Sequence, residues 1–361
     1  EIRKEAYEGI NLVKQASIQT VMVTGDNKLT ALAIAKEVGL YKDGDLILTS
    51  DEMKNMSDED LKKVLPKLRV VARAIPQDKS RLVRISQELD LVVGMTGDGV
   101  NDAPALKRAD VGFAFGSGTE VAKEASEIVI LDNNFLSITK AILFGRTIFK
   151  SIRKFIIFQL TVNICAVSLS IIGPFIGVDT PVTVIQMLWI NMVMDTLAAL
   201  AFSFEAPLKE YMSELPKKRD ENIINEYMKH EIFFTGIYST ILCILFLKLP
   251  IFHQLFRNGD QYILTAFFGL FIFISIFNSF NARTHRLNLL ANILKNKMFI
   301  FIISFIFLVQ VLLIYFGGEL FRTYGLTFFE FQIMFWLSFT VVPIDFLRKY
   351  YLRKKGIIGG V

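Results

Sequence analysis

The sequence predicts a water-soluble α/β domain built on parallel strands, followed by an all-α membrane domain of six transmembrane helices. Three observations carry this reading. From Glu1 to about Lys154 charges are frequent, and short apolar runs alternate with helix-like stretches. Beyond Lys154 charge nearly vanishes, because Asp179 and Asp195 are the only charged side chains between Phe155 and Ser203. Further uncharged runs at Ile232–Leu247, Gln261–Ala282 and Met298–Gly318 have membrane length. Splitting the first block at Gly173–Pro181 and adding Leu326–Ile344 gives six helices. An even number of crossings puts the soluble domain and the C-terminus on one side.

Composition narrows the function classes. With 52% hydrophobic residues, disorder and collagen-like repeats are excluded. The formal net charge of +5 would fit a nucleic-acid partner, but its position argues for membrane topology instead. Arg146, Lys150, Arg153, Lys154, Lys209, Lys217, Lys218, Arg219, Lys229, Arg283, Arg286, Lys295, Lys297 and the tail Arg348–Lys355 fall on one side, whereas the opposite loops offer Arg257 and Arg322. That side is therefore cytosolic, with both termini on it, and no nucleic acid is expected. Cys165 and Cys243 lie in apolar runs and read as packing residues; two cysteines are too few for a structural zinc site. His230, His253 and His285 are too scattered to form a metal site. Glu1–Thr20 is charged and lacks an apolar signal-peptide core, and the missing initial Met points to a fragment.

In the soluble part, β-branched Ile18–Val23 reads as a strand entering the turn Thr24-Gly25-Asp26-Asn27, with a helix over Leu29–Val38. Pro76-Gln77-Asp78-Lys79 reads as a turn before another helix. Asp90–Met95 repeats the strand pattern, runs into Thr96–Asp102 and leads to a helix over Ala103–Ala109. Such turns sit at the carboxyl edge of a parallel sheet, where ligands bind. Glycine lets the backbone approach a phosphate, a Thr hydroxyl and main-chain amides donate to its oxygens, and carboxylates such as Asp98 and Asp102 hold Mg2+. Lys79 can add a cation to the same phosphoryl group. A lone Thr-Gly-Asp reads equally as a left-handed turn with a capping Asp. The twelve-residue string TGDGVNDAPALK over Thr96–Lys107 is far more specific.

In the membrane part, Asn191 and Asp195 stand four residues apart, which places them on one helical face, and Asn163 lies in the preceding helix. Intramembrane polar groups are functional candidates by default. Two amide oxygens and a carboxylate suit Ca2+, although Ca2+ takes about six to eight oxygens and needs more ligands than these. The competing reading is hydrogen-bonding glue between helices. The tail Arg348–Lys355 reads as a topology determinant.

TGDGVNDAPALK, with TGDN at Thr24–Asn27 and the Lys79 turn between them, resembles the hinge and phosphorylation-domain signatures of P-type cation-transporting ATPases. The resemblance implies a haloacid-dehalogenase-like, Rossmann-like phosphorylation domain, present here in part. In that family the γ-phosphoryl group of ATP passes to the Asp of an Asp-Lys-Thr-Gly-Thr motif, which this chain does not contain. By resemblance Asp98 binds Mg2+, Asp102 orients the phosphorylation site, Lys79 neutralises phosphate charge, and Thr24, Gly25 and Asp26 line the site. Asn101 and Arg73 match positions near the nucleotide phosphates. QLTVNICAV over Gln159–Val167 and QMLWINMVMDTLAA over Gln186–Ala199 resemble helices five and six of calcium pumps, closest to the plasma-membrane type. Ala166, Met194 and Ser275 stand where two-calcium pumps carry ligands, so the resemblance implies one Ca2+ per ATP, bound in part by Asn163, Asn191 and Asp195. The organisation expected is a partial phosphorylation domain over 1–139, a stalk helix over 140–154, family helices five to ten over 155–346 and a basic cytosolic tail over 347–361. The expected cofactors are Mg2+ and ATP, the transported ion is Ca2+, and the partners are the lipid bilayer, Ca2+ and the N-terminal remainder of the pump. The location implied is the plasma membrane, and this chain alone is expected to be inactive. The alternatives are a pump for Mn2+ or another divalent ion, or a non-catalytic truncated membrane product. A self-sufficient phosphatase fails because the nucleophile is absent.

Overall fold

The computed structural model describes residues 2–177 and 181–357; Glu1, Asp179 and the last four residues of the expected tail lie outside the described residues. The chain divides into two compact units, Glu1–Arg146 with Pro207–Glu221 and Thr147–Ala206 with Asn222–Val361.

The first unit runs α1 (Lys4–Gln15), β1 (Met22–Val23), α2 (Lys28–Glu37), β2 (Leu46–Thr49), α3 (Ser50–Lys54), α4 (Asp58–Val64), β3 (Leu68–Ala72), α5 (Pro76–Glu88), β4 (Gly94–Gly97), α6 (Ala103–Arg108), β5 (Val111–Phe115), α7 (Glu120–Glu124) and β6 (Ile128–Ile130). All pairings are parallel, in two sheets ordered β1-β3-β2 and β4-β5-β6. Both expected strands are shorter than the sequence predicts. The Ile18 amide returns to Val13 O and closes α1, so pairing starts only at Met22 opposite Val70. Likewise the Leu91 amide bonds Ser86 O at the end of α5, and Asp110 accepts the Val93 amide at 2.8 Å, so β4 begins at Gly94.

Helix α5 ties the two sheets together. Leu82 and Ile85, three apart on one face, join the core of Leu48, Met53, Leu61, Leu65, Leu68 and Val71. Val83, turned to another face, packs with Ala105, Ala109, Val93 and Met95. Pro76–Lys79 is therefore not a turn before this helix but its first turn, with Pro76 at the opening position where its missing N–H costs nothing. Arg81 and Arg84 clamp Asp58 at the start of α4, at 2.8 and 2.6 Å. The Arg84 and Arg81 guanidiniums hold the Asp58 carboxyl below the usual carboxylate range, so this contact persists until the pH falls beneath that range.

Helix α8 (Phe135–Phe175) is continuous for 41 residues. After it come α9 (Val184–Leu188), a π-helical turn at Trp189–Met194, α10 (Asp195–Ser203), α11 (Glu226–Lys248), α12 (Pro250–Leu255), α13 (Asp260–Arg283), α14 (Lys297–Phe316), α15 (Gly318–Phe321), α16 (Phe328–Phe339) and α17 (Val341–Lys354). Among the described residues six spans are long and apolar enough to cross a membrane: Phe135–Phe175, Val184–Ser203, Glu226–Lys248, Asp260–Arg283, Lys297–Phe316 and Phe328–Lys354. Helices satisfy their own backbone, which lipid cannot do.

The span of α13 is 83% buried, which makes it the centre of the second unit. Phe273 on α13 meets Phe307, Phe331 and Phe335 edge-on, with ring centroids 5.0, 5.9 and 6.0 Å away. At Gly236 an added Cβ would lie 2.9 Å from Ile164, so only glycine permits the close approach of α11 to α8. Two ion clusters sit inside this unit. Glu205 takes Lys154 at 2.7 Å and the Asn296 amide at 2.9 Å, with Arg283 3.6 Å away. Glu231 meets Arg348 at 3.1 Å, and Asp345 binds Arg348 and Lys349, each at 2.7 Å.

These clusters correct one expectation. Arg348 and Lys349 are not tail cations facing water, since both are buried on α17 and paired. Asn281–Arg283 form the last turn of α13, where the Asn281 carbonyl accepts the Lys349 ammonium. Glu205→Ala should leave Lys154 buried without its counter-charge and cost about 3–5 kcal/mol. Thermal unfolding of the detergent-solubilised protein would register this as a clear loss, and an unchanged midpoint would contradict it.

Candidate functional site

Two separate constellations emerge, one in each unit. In the first unit the turns after β1 and β3 are joined through their backbones: the Ala74 amide bonds Thr24 O at 2.9 Å and the Arg73 amide bonds Asp26 O at 2.8 Å. Arg73 adopts a left-handed conformation, with φ of 52°, and its side chain is exposed. The Thr24 hydroxyl donates to Asp26 at 3.0 Å. Gly25 is not left-handed, and the helix cap is Asn27 rather than Asp26, with its side chain accepting the Thr30 amide at 2.9 Å. The ordinary-turn reading of Thr-Gly-Asp therefore fails. A Cβ on Gly25 would meet nothing within 4 Å, so neither conformation nor local packing requires glycine there.

The turn after β4 is organised by Asp102. Its Oδ2 accepts the Asp98 and Gly99 amides, both at 3.2 Å, and its Oδ1 accepts the Lys79 ammonium at 2.5 Å. Asp102 is 5% exposed, so this charge is fully committed. Gly97 makes room for it, because a Cβ there would lie 2.5 Å from the Asp102 Cβ. Asp98 is held from the other side, where its carbonyl accepts the Thr119 amide at 2.8 Å. Its carboxylate is exposed and accepts no hydrogen bond among the described residues; Asn101 is exposed beside it. The expectation that Asp98 and Asp102 pair on one metal ion is thus corrected: Asp102 is spent on Lys79 and the turn, and Asp98 alone is open. One carboxylate, completed by water and phosphate oxygens, fits the way Mg2+ is usually held.

In the second unit Asp195 is the focus. Among the described residues, the buried carboxylates there are Asp195, Glu231, Glu330 and Asp345. Glu231 and Asp345 pair with Arg348, and Glu330 pairs with Arg257 at 2.9 Å. Asp195 has no cationic partner among the described residues. It accepts the Gln159 amide at 2.6 Å on Oδ2, while its Oδ1 is buried without any partner. An uncompensated buried carboxylate is costly, which sets Asp195 apart from the other buried carboxylates of this unit.

The expected triad is not assembled as the sequence spacing suggests. Asn191 lies in the π-helical turn, whose wider register carries it to an exposed position while Asp195 is 5% exposed. Asn163 is half-buried, and neither asparagine side chain makes a hydrogen bond among the described residues. The residue brought to Asp195 is Gln159, to which sequence reasoning assigns no role. Its signal was the four-residue spacing to Asn163 on one helix face.

With fold and sites in view, the comparisons with known proteins are direct. Residues 179–351 match the family described as cation transporting ATPase, C-terminus, and residues 1–110 and 87–142 match two haloacid dehalogenase-like hydrolase families. The chain belongs to the cation-transporting ATPases, with a haloacid-dehalogenase-like domain preceding its membrane helices. It is similar to calcium-transporting ATPase 2 of Schizosaccharomyces pombe, 39% identical over 96% of this chain and 28% of that protein. It is also similar to the probable plasma membrane-type calcium-transporting ATPase 6 of Oryza sativa, 39% identical over 86% of this chain and 31% of the relative. Human plasma membrane calcium-transporting ATPase 3 is 39% identical over 88% of this chain and 27% of its own length. The chain thus spans between 27 and 31% of the length of these relatives.

The turn geometry yields a paired test. Gly97→Ala should force Asp102 away and weaken the unit by about 1–3 kcal/mol, the usual cost of overpacking. Gly25→Ala should leave stability unchanged. Chemical denaturation of both variants, with hydrogen exchange at the Asp98 and Gly99 amides, would check this.

Proposed function

We propose that this chain supplies the Mg2+ and phosphate site, and part of the ion site, of an ATP-driven calcium pump that works through an aspartyl-phosphate. The relatives named as calcium-transporting ATPases support the substrate, and the string TGDGVNDAPALK supports the chemistry. The single observation that carries the ion site is Asp195, the buried carboxylate left without a cation where the others have one.

In this reading Mg2+ supplies charge neutralisation at the phosphoryl group when bound, and Asp98 is the residue that holds it. Lys79 and Asp102 act as one unit. Asp102 fixes the Asp98 turn through two amides and holds the ammonium of Lys79 at the start of α5, where positive charge favours a transferring phosphoryl group. Thr24, Gly25 and Asp26 line the same site, and the open space over Gly25 leaves room for phosphate oxygens. Arg73 and Asn101, both exposed, face nucleotide phosphates. These groups stabilise phosphoryl transfer but cannot accept the phosphoryl group; the nucleophilic Asp belongs to residues outside this chain. ATP binding likewise draws on the remainder of the pump.

Asp195, Asn191 and Asn163 contribute oxygens to the transported Ca2+. One carboxylate from this chain matches one Ca2+ per ATP, and further oxygens come from the rest of the protein. The plasma-membrane relatives favour export across that membrane, with the phosphate site and the C-terminus cytosolic.

In the complete pump, Asp195→Asn should abolish Ca2+-dependent phosphoenzyme formation from ATP while phosphorylation from inorganic phosphate survives. Intact Ca2+ dependence in that variant would remove the ion-site assignment.

A further inference from the structure

We propose that Gln159 is a switchable ligand of the Asp195 site, donating its amide N–H to the carboxylate when no cation is bound and turning its amide oxygen to the cation when one is. This rests on the reading of Asp195 as an ion ligand.

The argument starts from unmatched polar atoms. Gln159 Nε2 donates to Asp195 Oδ2 at 2.6 Å, whereas Gln159 Oε1 and Asp195 Oδ1 are both buried and have no partner among the described residues. Buried polar atoms in folded proteins are almost always paired, so two orphaned oxygens on one hydrogen-bonded pair mark an unfilled demand for a donor or a cation. A water or a cation could meet it. The donor side of the pair distinguishes Gln159 from a passive neighbour. An N–H on Oδ2 offsets part of the Asp195 charge while the site lacks a cation, yet the same N–H repels a divalent ion. Rotation about the last side-chain torsion exchanges N and O, and that torsion is broad and roughly two-fold. One rotation therefore frees Oδ2 and supplies a further oxygen.

Position favours this use. Gln159 and Asn163 lie four residues apart on α8, so their amide groups share a face. Asp195 opens α10 directly after the π-helical turn, a deviation that recurs at functional sites. Hard oxygen ligands from two helices are what a Ca2+ ion takes.

The test compares variants in the complete pump. Gln159→Leu removes donor and oxygen together, and Gln159→Met is a second apolar variant of similar length should Leu disturb folding. Either should weaken the apparent Ca2+ affinity of phosphoenzyme formation by about 10- to 100-fold, as loss of a site-supporting group does. Phosphorylation from inorganic phosphate should be retained, which reports an intact fold. Gln159→Glu loses the donor but keeps an oxygen, and should hold its Ca2+ affinity much closer to the parent. At a pH where the introduced Glu is ionised, a purely structural hydrogen bond would make the apolar and Glu variants fail alike, because none of them then donates to Asp195. Unchanged affinity in the apolar variants, or equal loss in the Glu variant, overturns the proposal. Asp195→Asn, run in parallel, separates the two ideas: if its Ca2+ dependence persists, the ion-site reading itself falls.

Discussion

A charge removed from water must find a partner, and that constraint organises both units of this chain. In the second unit it selects the contacts that join helices distant in sequence. Glu205, just beyond the end of α10, gathers Lys154 from α8, Asn296 ahead of α14 and Arg283 from α13. Glu231 on α11 and Asp345 on α17 share Arg348. These pairs fix where helices lie against one another in a setting where apolar side chains alone discriminate poorly, since lipid and helix surface are alike. Against that background Asp195 stands out chemically, because among the described residues only a neutral amide answers its charge.

The first unit solves the same problem with Asp102. Three donors converge on it, one ammonium and two backbone amides, so a single buried carboxylate holds the turn after β4 against the start of α5. Helix α5 in turn touches the cores of both sheets. A buried ion pair thereby connects the packing of the domain to the placement of its phosphate-facing groups. Asp98 remains open because Asp102 has taken the structural duty. The division of labour between two carboxylates follows from their surroundings, not from their residue type.

Packing adds a second, quieter constraint. Phenylalanine rings around Phe273 meet edge to face, and small residues such as Gly236 allow backbones to approach. Neither device specifies chemistry. The rings hold α13 against α14 and α16, and Gly236 lets α11 approach α8, the helix that carries Gln159.

By itself the sequence determined the alternation of strands and helices, six apolar spans and the phosphate-site string, since period, length and turn residues are local properties. It located Thr24, Gly25, Asp26, Asp98 and Asp102 in the turns that follow strands, whereas Lys79, read as part of a turn before a helix, lies in the first turn of α5. What it left open were partners. That Asp102 is spent on Lys79, that Arg348 and Lys349 are buried rather than part of a tail, that a π-turn carries Asn191 outward and that Gln159 reaches Asp195 were decided only by the tertiary structure. Each depends on side chains brought together from different elements, and the cost of an unpaired buried charge is felt only once the chain has folded around it.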